Sequence, residues 1–407
     1  MEELSAFSDE NRDLFLFGEP TEEELAANPL PVREGPSRRA LLHELHEAKA
    51  ISRVLTRLEE LGIEPARLLS DDEPVYELVE NARNTVTPVH FVGDILAKVL
   101  EIGSGCGAIT GKLAQKAGSV TSVDLSKKRC LINAWRHQDC DNVTIHVGNF
   151  KDIEPDLPRD FDYICFIGVF EYGQSYIHTD NPYVDWLKMM QGHLKKGGRI
   201  IIAIENRLGL KYFAGCSEDH LGSYFSGIED YAEGAGVRTF VRSRLEQLFQ
   251  ESGLNQYSFY YPYPDYKLMS TLYSDRRLPK QGELHENLRN FDRDRMVLFD
   301  EKNVFDSLIK EEMFPFYSNS YMVVIGKEPE LTYCRYSNDR SWETCIKTEI
   351  LEEAGVKKVR KYACNEFSAD HIRHIHWAYV NLKERYKGSK LAINKCKLYD
   401  DKLPFVE

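Results

Sequence analysis

The middle of this chain predicts a Rossmann-like α/β fold with a parallel sheet covered by helices on both faces, on three observations. Residues 99–107, Val-Leu-Glu-Ile-Gly-Ser-Gly-Cys-Gly, are an apolar run feeding a glycine loop. A second apolar run, residues 119–124, ends on Asp124. From there to residue 204, strand-like and helix-like segments alternate. Regular βα succession implies parallel strands joined by crossover helices, with the ligand crevice at the carboxyl ends of the strands.

Residues 1–36 are acidic and polar, and Pro20, Pro29, Pro31 and Pro36 interrupt any periodicity, so they are expected to form a partly ordered lead-in. From Ser37, a plausible N-cap, leucines and other apolar residues recur at helical spacing as far as Leu61, and Gly62 is a good stop. This predicts an amphipathic helix or helical pair, on which His43 and His46 are packing or surface residues. Residues 1–74 are thus read as an N-terminal extension.

In the next unit, residues 75–328, strands are expected over 98–102, 120–123, 143–147, 163–167 and 199–204. Helices are expected over 109–116, 127–137 and 183–194. Lys195-Lys-Gly-Gly198 should end the last of these and restart a strand. A helix at 243–252, a tyrosine-rich stretch at 257–273, an amphipathic segment at 304–312 and a last strand at 318–325 follow. Residues 329–407 read as a small α+β segment: a hairpin over 333–340 and 344–351, a strand near 357–361, a helix at 371–386 and a further element at 391–398.

The bulk properties narrow the functional classes. With 52 basic and 65 acidic side chains the formal charge is −13, which repels nucleic-acid phosphates, so no nucleic-acid partner is expected. No run approaches the roughly 18 apolar residues that span a bilayer. The acidic start Met-Glu-Glu-Leu lacks the basic and apolar regions of a signal peptide, so a cytoplasmic protein is expected. Nine cysteines without a C-x-x-C indicate neither a disulfide framework nor a zinc ribbon, and no metal site is expected.

Gly103, Gly105 and Ala108 also satisfy the dinucleotide pattern G-x-G-x-x-A, and Glu101 discriminates. A carboxylate two residues before the first glycine opposes a pyrophosphate but favours a ligand with an ammonium and a sulfonium. The pattern Glu101-x-Gly103-x-Gly105-x-Gly107 resembles motif I of class I S-adenosyl-L-methionine (SAM) methyltransferases. The resemblance implies a seven-stranded sheet whose last strand is inserted antiparallel beside the fifth, and SAM as cofactor. Asp124 then suits the ribose diol, and Glu101, Gly103, Ser104, Gly105 and Gly107 the methionine part. Leu125 is a further cofactor-binding candidate, Asn149 and Phe150 are candidates for the adenine side, and Ile167 and Gly168 stand in the motif IV position between cofactor and acceptor.

Methyl transfer is displacement at carbon, so positioning is the main task of the protein. A hydroxyl acceptor also needs a general base. His220, held by Glu218 or Asp219, is the first candidate, with Glu205 and Glu171 behind it. If the acceptor is a phosphate or carboxylate no base is needed, and Lys211 and Arg207 become anion holders. Tyr172, Asn206, Tyr212, Asp219, Tyr263 and Tyr266 complete the acceptor-side candidates. Aromatic faces among the tyrosines of 257–273 suit sugar rings, and core packing would give the same spacing.

The segments Ile167-Gly-Val-Phe-Glu-Tyr172, Ile204-Glu-Asn-Arg-Leu-Gly-Leu-Lys-Tyr-Phe-Ala-Gly215, Glu218-Asp-His220 and Tyr261-Pro-Tyr-Pro-Asp-Tyr-Lys267 resemble a bacterial methyltransferase group associated with glycosyltransferases and surface polysaccharides. That resemblance implies O-methylation of a saccharide or saccharide phosphate, with glycosyltransferase or kinase domains as partners. Residues 330–407 weakly resemble the start of a kinase N-lobe, with Lys361 and Glu366 in the places of its lysine and acid, and no catalytic motif follows. The competing readings are a small-molecule methyltransferase unrelated to glycans and a non-catalytic SAM-fold scaffold.

Overall fold

The computed structural model describes residues 96–232, 235–285, 295–337, 340–341, 343–401 and 403–407. The lead-in and amphipathic helix expected over 1–74, with His43 and His46, lie outside the described residues.

Five strands run in parallel: β1 (Lys98–Ile102), β2 (Ser119–Asp124), β3 (Val143–Val147), β4 (Phe161–Ile167) and β5 (Leu194–Glu205). Helices α1 (Thr110–Lys116), α2 (Lys127–Arg136) and α3 (Pro182–Gln191) lie in the connections. After α4 (Arg242–Glu251), the tyrosine-rich stretch divides into β6 (Tyr257–Tyr263) and β7 (Thr271–Ser274). Helix α5 (Glu301–Lys310) precedes β8 (Ser320–Ile325), which pairs antiparallel with both β5 and β6. The order β3-β2-β1-β4-β5-β8-β6 is the expected seven-stranded sheet with its inserted antiparallel strand.

The central strands β1, β4, β5 and β8 carry near-continuous apolar stretches because both faces are covered, whereas the edge strand β3 has no buried residue. Ile200, Ile202 and Ile204 of β5 join one core cluster, while Ile201 and Ala203 join the other, as the period of two requires. Leu100 and Ile102 against Val99 in β1, and Tyr321 and Val323 against Met322 and Val324 in β8, divide the same way.

Some boundaries differ from expectation for local reasons. Helix α3 starts at Pro182, whose missing N–H costs nothing in a first turn, and stops at Gln191 because His193 is buried between the Pro158 carbonyl and the Glu154 carboxylate. The Lys195–Gly198 turn is absorbed into β5 as an irregularity in its pairing with β4, with Gly197 at φ 84°. Helix α5 begins three residues earlier than expected, where Asp300 accepts from the backbone N–H of Lys302.

The sheet does not end at β6. Strand β7 pairs with β6 and then with β9 (Leu331–Tyr336), and β10 (Ile346–Glu353), β11 (Val356–Ala363), β13 (Phe405–Val406) and β12 (Leu398–Tyr399) extend it to thirteen strands. Leu331, Cys334 and Leu351 of this extension share a core with Val99, Ile109 and Leu113. Helix α6 (Ala369–Arg385) packs Ile372 against Ile346, Ala363 and Val406. Only Leu398 of the element expected over 391–398 lies in a strand. No helix among the described residues is long and apolar enough to cross a membrane.

Candidate active site

The β1 strand delivers the chain into a turn that only glycine fits. Gly103, Gly105 and Gly107 have φ of 70°, 55° and 87°. A Cβ on Gly103 would stand 2.3 Å from Val169 Cγ2, and one on Gly107 would stand 2.3 Å from Asn133 Oδ1. The loop is thereby pressed against the segment after β4 on one side and α2 on the other.

Two carboxylates flank this turn. Asp124, at the end of β2, accepts from the backbone N–H groups of Gly105 at 2.9 Å and Ser126 at 2.9 Å, tying the glycine loop to the following turn. Glu101 is buried and accepts from the hydroxyls of Thr110 at 2.6 Å and Ser122 at 2.8 Å. Burial outweighs these bonds and, with the charge of Asp124 adding to it, pushes the Glu101 carboxyl up to about 7. A carboxyl raised in the folded state contributes stability that is fully present below its unfolded value and is lost as pH rises through about 7. Glu101→Gln should therefore match the wild type at pH 4 and exceed it by about 3 kcal/mol at pH 8 in denaturant unfolding.

The remaining cofactor-side candidates are divided. Ser104 Oγ is buried in the loop with no hydrogen-bond partner. Leu125 is exposed beyond Asp124, and Ile167 and Gly168 lie where β4 meets the crevice. Asn149 caps the short turn Phe150–Ile153 by accepting from the N–H of Lys151. Phe150, expected as a wall for the adenine, is buried in the core with its ring 6.1 Å from that of Trp186.

At the carboxyl ends of β4 and β5 the chain buries an acid and imidazole cluster. Glu171 sits on a 3₁₀ turn after β4, Glu205 is the last residue of β5, and His220 comes from the loop beyond. His220 Nε2 lies 3.3 Å from Glu171 Oε1 and 4.0 Å from Glu205 Oε2, and its Nδ1 lies 2.9 Å from Glu218 Oε1. Glu218 also accepts from the N–H groups of His220 and Leu221 and from the Tyr231 hydroxyl. Burial pulls the His220 imidazolium down, but the charge of Glu205 and the bonds to Glu171 and Glu218 outweigh it and push His220 up to about 9. Glu171 is raised by burial and by the charge of Glu205, against the bond from His220.

The cluster lies directly beneath the motif IV glycine. A Cβ on Gly168 would be 2.6 Å from the Tyr266 hydroxyl and 3.8 Å from Glu171 Oε1. Tyr266 reaches Glu205 Oε1 at 3.4 Å, and the Tyr172 ring meets that of His220 edge-on at 5.5 Å. Lys267 binds Glu205, and binds Asp219 at 3.1 Å.

Other acceptor-side candidates serve the scaffold. Lys211 is fully buried, with Nζ 2.8 Å from Asp219 Oδ2 and 2.9 Å from Asp265 Oδ2, so its ammonium is committed inside the protein. Tyr212 donates to Asp219 at 2.5 Å. Asn206 donates to the carbonyls of Phe316 and Ser318, and Arg207 is paired with Asp230. Tyr263 donates to the Leu284 carbonyl and packs on Phe305, and Tyr260, Tyr261 and Tyr273 are buried, so these rings form core rather than a sugar platform. Sequence reasoning missed the part played by Asp265 and Lys267. The available signal was two ionisable residues beside Tyr266 at the end of an apolar run.

Residues 100–200 match the family model of a methyltransferase domain. No curated protein matches the chain. Solved structures similar to it include a SAM-dependent methyltransferase from Archaeoglobus fulgidus, at 14% identity over 62% of this chain and 94% of that one, with a TM-score of 0.37. Another is a phosphoethanolamine N-methyltransferase 1 from Haemonchus contortus in complex with phosphoethanolamine and S-adenosylhomocysteine, at 15% identity over 55% of this chain and 46% of that one, with a TM-score of 0.32. A third is a SAM-dependent methyltransferase from Aquifex aeolicus, at 16% identity over 49% of this chain and 87% of that one, with a TM-score of 0.29. The glycine cradle, with its orphaned Ser104 hydroxyl and flanking carboxylates, fits the methionine and ribose parts of such a cofactor. Residues 100–200 of this chain thus belong to a class I methyltransferase domain, an enzyme domain whose cofactor is S-adenosyl-L-methionine.

Proposed function

We propose that the protein transfers the methyl group of SAM to a hydroxyl oxygen, the acceptor being a saccharide or saccharide phosphate. The observation that carries the oxygen assignment is the buried Glu171, Glu205 and His220 cluster directly beneath Gly168. An anionic acceptor oxygen would need a cation instead, and Lys211 and Arg207 are both committed to carboxylates. The methylated atom is therefore a hydroxyl oxygen, and any phosphate on the acceptor lies away from the reacting centre. The saccharide assignment is supported by the resemblance of residues 167–172, 204–215, 218–220 and 261–267 to the polysaccharide-associated group.

In this reading the glycine loop, with Ser104, takes the methionine part and Glu101 favours its ammonium. Asp124 takes the ribose hydroxyls, since a carboxylate oxygen can accept two hydrogen bonds and need not release the backbone. The sulfonium supplies an activated methyl group and a neutral leaving sulfur. The protein brings the acceptor oxygen into line with that methyl, and the His220 imidazole receives the hydroxyl proton once it is neutral, so transfer should rise with pH towards about 9.

A charge-assisted hydrogen bond contributes roughly 1.5–3 kcal/mol, so Asp124→Ala is expected to weaken SAM binding about tenfold to a hundredfold in calorimetry. Unchanged affinity would remove Asp124 from the cofactor site. The function itself is tested by locating the methyl group in the product. Attachment at a sugar hydroxyl is expected, and attachment at nitrogen, carbon or phosphate oxygen would overturn the proposal.

A further inference from the structure

Besides the cofactor crevice, the described residues contain one place where nitrogen and oxygen donors converge with more negative charge than their partners balance. Glu171 Oε1, Glu205 Oε2 and His220 Nε2 belong to three side chains whose donor atoms lie within 4.8 Å of one another. Donors held about 2.0–2.2 Å from a common ion stand roughly 3–4 Å apart. The separations of 3.3 Å and 4.0 Å from His220 Nε2 need only small side-chain adjustments to meet that requirement.

Three further observations bear on a ligand. Glu171 is 1% exposed, yet its Oε2 has no hydrogen-bond partner, a costly state for a buried carboxylate oxygen. His220 is already in the posture of a metal ligand: its Nδ1 faces Glu218, which would fix the tautomer and leave Nε2 for the ion, and Glu218 is itself held by two backbone N–H groups. Five buried carboxylates, Glu171, Glu205, Glu218, Asp219 and Asp265, face the ammonium groups of Lys211 and Lys267 and the His220 ring, and once an ion displaces the proton on Nε2 only the two ammonium groups remain against them.

We propose that Glu171, Glu205 and His220 form a site for one divalent cation at the acceptor end of the crevice. Two carboxylates with one imidazole suit Mn2+, which accepts oxygen and nitrogen donors, better than Mg2+, which takes oxygen almost exclusively. The space beside Gly168 is taken by the Tyr266 hydroxyl, with Glu171 Oε1 next to it, so an acceptor hydroxyl that replaces the Tyr266 hydroxyl there can become a further ligand of the ion. This deepens the reading of the cluster as the acceptor end and rests on it.

The test uses the full chain, treated with chelator, desalted and titrated with Mn2+ while the free-ion electron paramagnetic resonance signal is followed. One Mn2+ per chain is expected to disappear from the free signal, with affinity at least tenfold weaker in Glu171→Gln, Glu205→Gln and His220→Ala. SAM affinity, measured on the same samples, identifies variants that remain folded. Loss of no free signal in the wild type, or equal binding in folded Glu171→Gln and wild type, would overturn the site. Full methyl transfer by the metal-free protein would also overturn it and leave the proposed function standing. Stoichiometric Mn2+ binding without transfer to any hydroxyl would do the reverse.

Discussion

Lys211→Met is expected to destabilise the protein by about 3–5 kcal/mol, the range for removing one partner from a buried ion network. Lys211 is fully buried, and its ammonium lies 2.8 Å from Asp219 and 2.9 Å from Asp265. Methionine nearly preserves the volume, so little of the loss comes from a cavity. What remains is electrostatic: Asp219 and Asp265 stay buried with less compensating charge. Lys267 cannot replace the lost ammonium, because its own is shared between Glu205 and Asp219. Urea unfolding reads the effect as a fall in midpoint at unchanged slope. A loss below about 1 kcal/mol, the usual worth of an exposed pair, would mean that water reaches this network.

His220→Ala is expected to lower kcat for methyl transfer by about 10²–10⁴ when variant and wild type are measured near pH 9, where the imidazole, pushed up to about 9, becomes free to take a proton; this is the range for removing a positioned proton-transfer group. SAM affinity should stay within about twofold, because the imidazole contacts Glu171, Glu205 and Glu218 and none of the glycine loop. The split between kcat and cofactor affinity separates this role from a structural one, in which both would fall together. An unchanged kcat would remove His220 from the chemistry.

The fold was legible where the physics is local. Strands covered on both faces are largely apolar, so β1, β4 and β5 could be read from composition, and the glycines of the β1 loop marked a turn that side chains cannot make. Glu101 and Asp124 were visible as acids at strand ends. The Thr110 and Ser122 hydroxyls that hold Glu101, and the backbone groups that hold Asp124, were not. Glu171, Glu205 and His220 could be named because strand-end loops converge on the crevice, but their mutual distances depend on how three separate loops pack.

Lys211 looked like an anion holder because nothing in its neighbourhood announced Asp265 as its partner. The tyrosines of β6 and β7 had the same spacing whether they faced a sugar or a core, and burial decided for the core. The continuation of the sheet through β7 into β9 is a pairing between distant segments that no local pattern encodes.

The most direct test of the account loads the protein with SAM carrying a labelled methyl group and follows a single turnover against neutral saccharides and saccharide phosphates. The account predicts label on a sugar hydroxyl in step with formation of S-adenosylhomocysteine, slowed at least about a hundredfold by His220→Ala while SAM remains bound. Measurable SAM binding with no transfer to either acceptor class, or transfer unaffected by His220→Ala, would contradict it.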